Sequence, residues 1–318
     1  MRIAIIGGGL DMLTLPQTLR KWSNLIDCYL VDRHANAMFN GKSLKELLND
    51  AKILNFLVKD ELDFRAKISD KHYDLIFGLG PAWIISRKTL SLANLWININ
   101  AIPLPRYMGG AHSTWQLLND DNSGSILFQE IDFPVDKGKI FAKFDFSYTK
   151  EQASPEARLR ENSRQLLLNL ETVMNEIIEG KHDSASYLDF SQAEYWPRLS
   201  TEIHGWIDWG WTSVEIIRFI GAFGDPYEGA KTELMGHVVY FRHAHMLEER
   251  TFHPFTAGTI VRHQSNHGVD VAVTDGIIRL NALIPEALRR KSLRGLRFHT
   301  PIDKLEIAKT TNLFSKDM

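Results

Sequence analysis

Asn98 and Asn100 stand one residue apart at the end of the apolar run Leu95–Ile99, followed by Pro103 and Pro105. Side-chain amides donate and accept hydrogen bonds but cannot titrate, so two of them can polarise a carbonyl and still leave proton transfer to another group. An Asn at a strand end also serves as a plain turn residue. A second grouping, Gly7-x-Gly9 after an apolar strand with Asp32 ending the next, has part of a dinucleotide fingerprint. Its third glycine is missing, because Met12 stands there, and the partial motif carries little weight. His243-x-His245 with His253 can put two imidazoles on one strand face. No acidic or cysteine partner completes a recognisable ligand spacing, so solvated histidines are the simpler account and no metal is expected. Arg289-Arg290-Lys291 with Arg294 and Arg297 is a basic cluster, by default a solvated helix face.

The elements that must position these residues follow from apolar periodicity. Arg2–Ile6, Asp27–Val31, Asp74–Gly78 and Leu95–Ile99 read as buried strands, and Leu13–Trp22, Ser43–Ala51 and Ser86–Leu92 as helices between them. Ser43-x-x-Glu46 matches a capping box. Strands alternating with helices predict an α/β layer with a parallel-rich, Rossmann-like sheet. In such sheets ligands lie beyond the carboxyl ends of the strands, which directs attention to Gly7–Gly9, Gly78–Pro81 and Asn98–Pro105. From Ser154, an N-cap followed by Pro155, a long helix is expected to about Glu179, with Gly180 ending it. Thr212-x-x-Glu215 caps another helix. Beyond Gly229 the strands His237–Phe241, Gly258–Arg262, Val269–Val273 and Ile277–Leu280, the last two joined at Thr274-Asp275-Gly276, predict a small β-rich, barrel-like domain. The expected division is 1–150, a helical connection 151–231, and 232–318.

The 318 residues are enough for two domains. A net charge of −2 supplies no basic field for a nucleic-acid backbone. A single cysteine, Cys28, excludes an internal disulfide and favours a cytoplasmic setting. The run Ile3–Leu10 is interrupted by glycines and meets Asp11 too early for a signal peptide, and no stretch approaches the roughly 20 apolar residues of a membrane span.

Taken in combination, several segments resemble the folate-dependent formyltransferase family. Asn98-Ile99-Asn100-Ala101-Ile102-Pro103-Leu104-Pro105-Arg106-Tyr107-Met108-Gly109 is similar to that family's N-x-H-P-S-L-L-P-x-Y-x-G, with Asn100 where the family has its histidine. Asp132-Phe133-Pro134-Val135-Asp136-Lys137-Gly138 resembles its loop ending D-x-G, which puts its aspartate at Asp136. Gly78-x-Gly80-Pro81-Ala82-Trp83-Ile84-Ile85, Trp115-Gln116-Leu117-Leu118, Tyr195-Trp196-Pro197-Arg198, Trp206-Ile207-Asp208-Trp209 and Asp225-Pro226-Tyr227-Glu228-Gly229-Ala230 also fit, so the resemblance reaches from residue 1 to about 285.

The resemblance implies transfer of a formyl group from N10-formyltetrahydrofolate to a primary amine, without a metal. The catalytic positions it implies are Asn98 as an amide donor to the developing oxyanion, Asn100, and Asp136 as proton acceptor. Because Asn100 cannot carry a proton, three readings stay open: Asp136 is the sole base, His112 (the histidine nearest in sequence) intrudes, or the chemistry is lost and the chain is a binding protein. The folate would lie along Gly80, Trp83 and Ile84 and along Phe128, Ile131 and Val135, although Phe, Ile and Trp there are equally well explained as core. Among acceptors the resemblance leans to nucleotide-linked amino sugars over initiator methionyl-tRNA. Trp196, Trp206, Trp209 and Trp211 are expected at a domain junction, and the terminal domain offers a contact surface for a homo-oligomer.

Overall fold

The computed structural model describes residues 1–39, 41–81, 83–132, 137–180, 186–264, 268–283 and 292–313. The chain packs as two units that interleave in sequence. The first comprises Met1–Arg106, Ser123–Ser147 and Arg160–Ala193, and the second Tyr107–Asn122, Tyr148–Leu159 and Glu194–Met318. Compact packing therefore follows a different division from cuts at 150 and 231. The long helix Pro155–Glu179 begins in the second unit and continues in the first.

The first unit is built on a seven-stranded sheet in the order Ile140–Ser147, Ser123–Glu130, Ala93–Asn100, Tyr73–Leu79, Arg2–Gly7, Leu25–Val31, Asn55–Val58. The five strands from Ala93–Asn100 to Asn55–Val58 are parallel, and the other two join antiparallel. This is the mixed, parallel-rich α/β layer that the alternation predicts. Two cores cover its faces. Ile3, Ile5, Phe77, Ile97, Ile99 and Phe128 pack with Met12, Leu15, Leu166 and Leu170 on one side. On the other, Ala4, Ile6, Tyr29, Ile76 and Trp96 pack with Phe64 and Ile85. The period of two along each strand produces this split.

Local signals are met where the sequence has them. Ser43 and Glu46 form a complete capping box. Ser154 Oγ accepts from Ala157 N at 3.2 Å, and Gly180, at φ +66°, ends the long helix. The first helix runs Asp11–Leu19, earlier than its apolar pattern suggests.

The second unit holds a five-stranded antiparallel sheet in the order Ala230–Leu234, His237–Glu249, Gly276–Leu283, Gly268–Val273, Thr259–Gln264. Val273 pairs with Gly276 across the expected hairpin. Asp275 in that turn accepts from Ser213 N at 2.7 Å and Ser213 Oγ at 2.9 Å, so the hairpin caps the helix Ser213–Ala222 beside its own Thr212–Glu215 capping box. Trp196, Trp206, Trp209 and Trp211 pack within this unit: Trp196 against Tyr107 and Trp115, Trp209 on Phe298, and Trp211 against Phe219. Lys231 Nζ lies 4.6 Å from the Trp206 ring centre. No helix among the described residues is long and apolar enough to cross a membrane.

Candidate active site

Asn98 and Asn100 occupy the last turns of the pleat in the strand Ala93–Asn100 and share a face with Trp96. Asn98 pairs with Gly78 on one side and with Gln129 on the other, so it stands inside the sheet at its carboxyl edge. Asn98 Nδ2 donates to Asn100 Oδ1 at 2.9 Å. Asn98 Oδ1 and Asn100 Nδ2 are buried and have no hydrogen-bond partner. An unfilled buried amide atom costs about 1–3 kcal/mol, so one free acceptor and one free donor side by side form an edge made to be filled. Turning both amides over keeps the internal bond and exchanges which residue presents the donor.

Gly78 packs closely beside this edge. A Cβ there would lie 3.1 Å from Asn98 Oδ1, 3.3 Å from Ile131 Cδ1 and 3.5 Å from Pro81 Cδ. Ile131 is anchored by its N–H on Trp96 O at 3.0 Å. Gly80, at φ +60°, turns the chain with open space where a Cβ would be. Trp83 packs against the core on the same face, its indole Nε1 buried and without a partner. Ile84 is 56% exposed. The structure thus brings Asn98, Asn100 and Ile131 together around Gly78. Phe128 is fully buried in the opposite core, edge-on to Phe144.

Val135 and Asp136 lie outside the described residues, but the ends of their loop are tied down. Glu130 N donates to Lys139 O at 2.8 Å and Gln129 Nε2 to Gly138 O at 3.0 Å. Gly138 is required, since a Cβ there would sit 1.9 Å from Glu130 O.

His112 opens the helix His112–Leu118 in the second unit. Burial, and to a smaller extent the charge of Arg158, push its pKa down to about 4. Unfolded imidazole titrates near 6.5. Below that pH the unfolded chain binds more protons, so stability is full above about 6.5 and falls as pH drops toward 4. The expected loss is up to about 3 kcal/mol. Denaturant titrations at pH 7.5 and 4.5 measure it, and an equal loss in His112→Gln would show that another group is responsible.

His34 was not expected from the sequence. It follows the end of the strand Leu25–Val31 and lies against Gly8, where a Cβ would approach its own Cβ to 2.4 Å. Its Nε2 lies 3.3 Å from Gly80 O. Burial, with adjacent Arg33, lowers its pKa. The strand-end rule that picked out Gly7–Gly9 would also have found it. Met12, at the missing third glycine, is fully buried in core.

Elsewhere, His243 Nε2 stands 3.4 Å from Asp225, and no group of three metal-ligating side chains occurs among the described residues. Of the basic cluster, 289–291 lie outside the described residues, and Arg297 sits 4.6 Å over the Phe255 ring.

Residues 200–295 match the formyl transferase C-terminal domain, and the folds of both units have formyltransferase counterparts. Residues 200–295 thus carry a formyl transferase C-terminal domain, within a chain whose fold is similar to that of formyltransferases. It is 28% identical over 198 residues to methionyl-tRNA formyltransferase of Dictyoglomus turgidum, a match covering 62% of this chain and 61% of that relative. The fold is similar to that of WlaRD, a sugar 3N-formyl transferase crystallised with dTDP and 5-N-formyl-THF (TM-score 0.63, 17% identity, 90% of this chain and 98% of that one). It is also similar to the N-formyltransferase of Helicobacter canadensis, solved with folinic acid and dTDP-3-aminofucose (TM-score 0.60, 15% identity, 89% and 99%). Asn100, which the motif resemblance sets at the position of a histidine, accepts a hydrogen bond from a second amide, Asn98.

Proposed function

We propose that this chain is an N-formyltransferase that takes its formyl group from N10-formyltetrahydrofolate and delivers it to the primary amine of a nucleotide-linked amino sugar. The observation that carries the reading is the Asn98–Asn100 edge, with one unfilled acceptor and one unfilled donor beside Gly78. Those groups, with the Trp83 indole N–H and the turn at Gly80, suit a flat, polar-edged ligand. When bound, the folate supplies an activated formyl carbon.

The amide edge suits both partners of an acyl transfer. Asn100 Nδ2 donates to the formyl oxygen as it gains negative charge, where a fixed donor acts most strongly. Asn98 Oδ1 accepts an N–H of the incoming amine and aims its lone pair. With both amides turned over, the two residues exchange roles. Asp136, the aspartate of the D-x-G motif, is the carboxylate assigned by the family resemblance to take the amine's proton.

The amino-sugar acceptor is supported by the dTDP-3-aminofucose bound to the Helicobacter canadensis enzyme, by the likeness to WlaRD, a sugar 3N-formyl transferase crystallised with dTDP, and by a net charge of −2. A second reading, methionyl-tRNA as acceptor, is favoured by the Dictyoglomus turgidum relative. The test has two stages. Thermal shift with 5-formyltetrahydrofolate is expected to raise Tm by several degrees, and no shift would remove the folate reading. Formylation of a panel of dTDP-linked amino sugars, set beside methionyl-tRNA, then separates the acceptors. A folate shift without turnover on either class would indicate a binding protein.

A further inference from the structure

The strand that faces Asn98 across the sheet carries a third amide, Gln129. The two residues are directly opposed in an antiparallel pair, so both side chains leave the sheet on one face. Side chains so opposed have Cβ atoms about 5 Å apart. Gln129 is 1% exposed, and its Nε2 donates to Gly138 O at 3.0 Å. A carbonyl only accepts, so this bond fixes which end of the amide is which. On its far edge the strand Ser123–Glu130 pairs with Ile140–Ser147, where Ile140 opposes Gln129 and the register then shifts.

The loop between these two strands leaves and returns beside the amides. At its start Ile131 N donates to Trp96 O at 3.0 Å. A Cβ on Gly78 would meet both Ile131 Cδ1 and Asn98 Oδ1, so the Ile131 side chain borders the amide edge. At its end Glu130 N donates to Lys139 O at 2.8 Å, and Ile140 N to Ser186 O at 2.8 Å. A Cβ on Gly138 would sit 1.9 Å from Glu130 O, so the returning chain lies hard against the departing one. Backbone bonds therefore close the neck at residues 130, 139 and 140. The Gly138 carbonyl, by contrast, is held by a side chain. In the sequence the D-x-G motif puts Asp136 two residues before it. Burying an amide costs desolvation that an apolar side chain of the same size avoids, and the bond to Gly138 is what offsets it.

We propose that Gln129 is a positioning residue for formyl transfer. By holding Gly138 O from the sheet directly beside Asn98, it sets the spacing between the amide edge and the loop of the D-x-G motif. The inference rests on the formyl-transfer reading. Gln129 cannot carry a proton, so its contribution is distance rather than chemistry. A misplacement of about 1 Å between reacting groups costs on the order of 10²-fold in rate.

The experiment compares the wild type with Gln129→Met and Gln129→Glu, using 10-formyltetrahydrofolate and whichever acceptor the wild type formylates. Gln129→Met keeps the length of the side chain and removes the donor. It is expected to lower kcat about 10²-fold, while KM for the folate changes by less than about twofold. Gln129→Glu separates positioning from packing. Its neutral carboxylic acid can donate to Gly138 O, whereas its carboxylate can only accept and repels that oxygen. Burial raises the pKa of such a carboxyl. The kcat of Gln129→Glu relative to wild type should therefore approach one at low pH and fall at least tenfold as pH rises through that pKa. The same ratio for Gln129→Met should stay level. Circular dichroism at each pH restricts the comparison to folded protein. A Gln129→Met variant within about threefold of the wild-type kcat overturns the inference, and so does a level ratio for Gln129→Glu. Should Gln129→Met fail to fold, the Gln129→Glu ratio decides alone. Wild-type protein that formylates no amine would remove both the inference and the reading beneath it, whereas an active wild type with an equally active Gln129→Met removes the inference only.

Discussion

Asn98→Ala and Asn100→Ala are each expected to lower kcat/KM for formyl transfer by about 10²–10³-fold, the effect of removing one fixed donor from an oxyanion site. Asn98 Nδ2 bonds Asn100 Oδ1, so either substitution also frees the remaining amide to rotate and destroys the donor–acceptor edge. The two act as a unit. The double variant should therefore be hardly slower than either single one, because groups that act together are strongly non-additive. Folate affinity, which the proposed reading assigns to other groups, should change by less than about threefold, a shift well below 1.4 kcal/mol. Steady-state kinetics on the three variants, with folate titrations, checks this. Multiplying losses in the double variant would mean that the two amides work separately, and unchanged rates would place the chemistry elsewhere.

Arg158→Leu is expected to destabilise the second unit by about 3–5 kcal/mol, the largest stability effect foreseen here. Arg158 is 1% exposed. Its Nη1 donates to Asp121 O at 2.9 Å, Nη2 to Asn122 Oδ1 at 3.0 Å, and Nε to Gln152 O at 3.3 Å. The guanidinium also lies 4.3 Å from the Tyr148 ring centre. Leucine fills much of the volume but strands three acceptors away from water, each at about 1–3 kcal/mol. Arg158→Lys should recover less than half of the loss, because an ammonium cannot present the planar fork to three acceptors at once. Urea titration of both variants gives the answer. A loss below about 1 kcal/mol for Leu would show that water replaces the guanidinium at these acceptors.

How much of this was legible beforehand depends on the range of the interaction. The capping boxes at Ser43–Glu46 and Thr212–Glu215 are local and are complete in the fold. So are the helix stop at Gly180 and the hairpin beyond Val273. Period and punctuation between them imply the parallel-rich sheet and the antiparallel sheet after it. The start of the first helix is less legible, because the three glycines conceal that Asp11 already belongs to it. Phe128 shows the limit of motif reasoning: its place in the motif suggests ligand, but the alternation along its strand turns it into the core.

By itself the sequence determined the order of elements, the resemblance to formyltransferases, and the presence of two amides and no histidine at positions 98 and 100. Those follow from local periodicity and from residue identity at motif spacing. Only the tertiary structure decided that the amides bond each other and leave a free edge, because side-chain direction at a strand end depends on both neighbouring strands. It also decided that Gly78 lies against Asn98, and that the long helix ties Asn162 to Ala101. Residues so distant along the chain meet only when the helix packs on the sheet, and no spacing in the sequence records that contact.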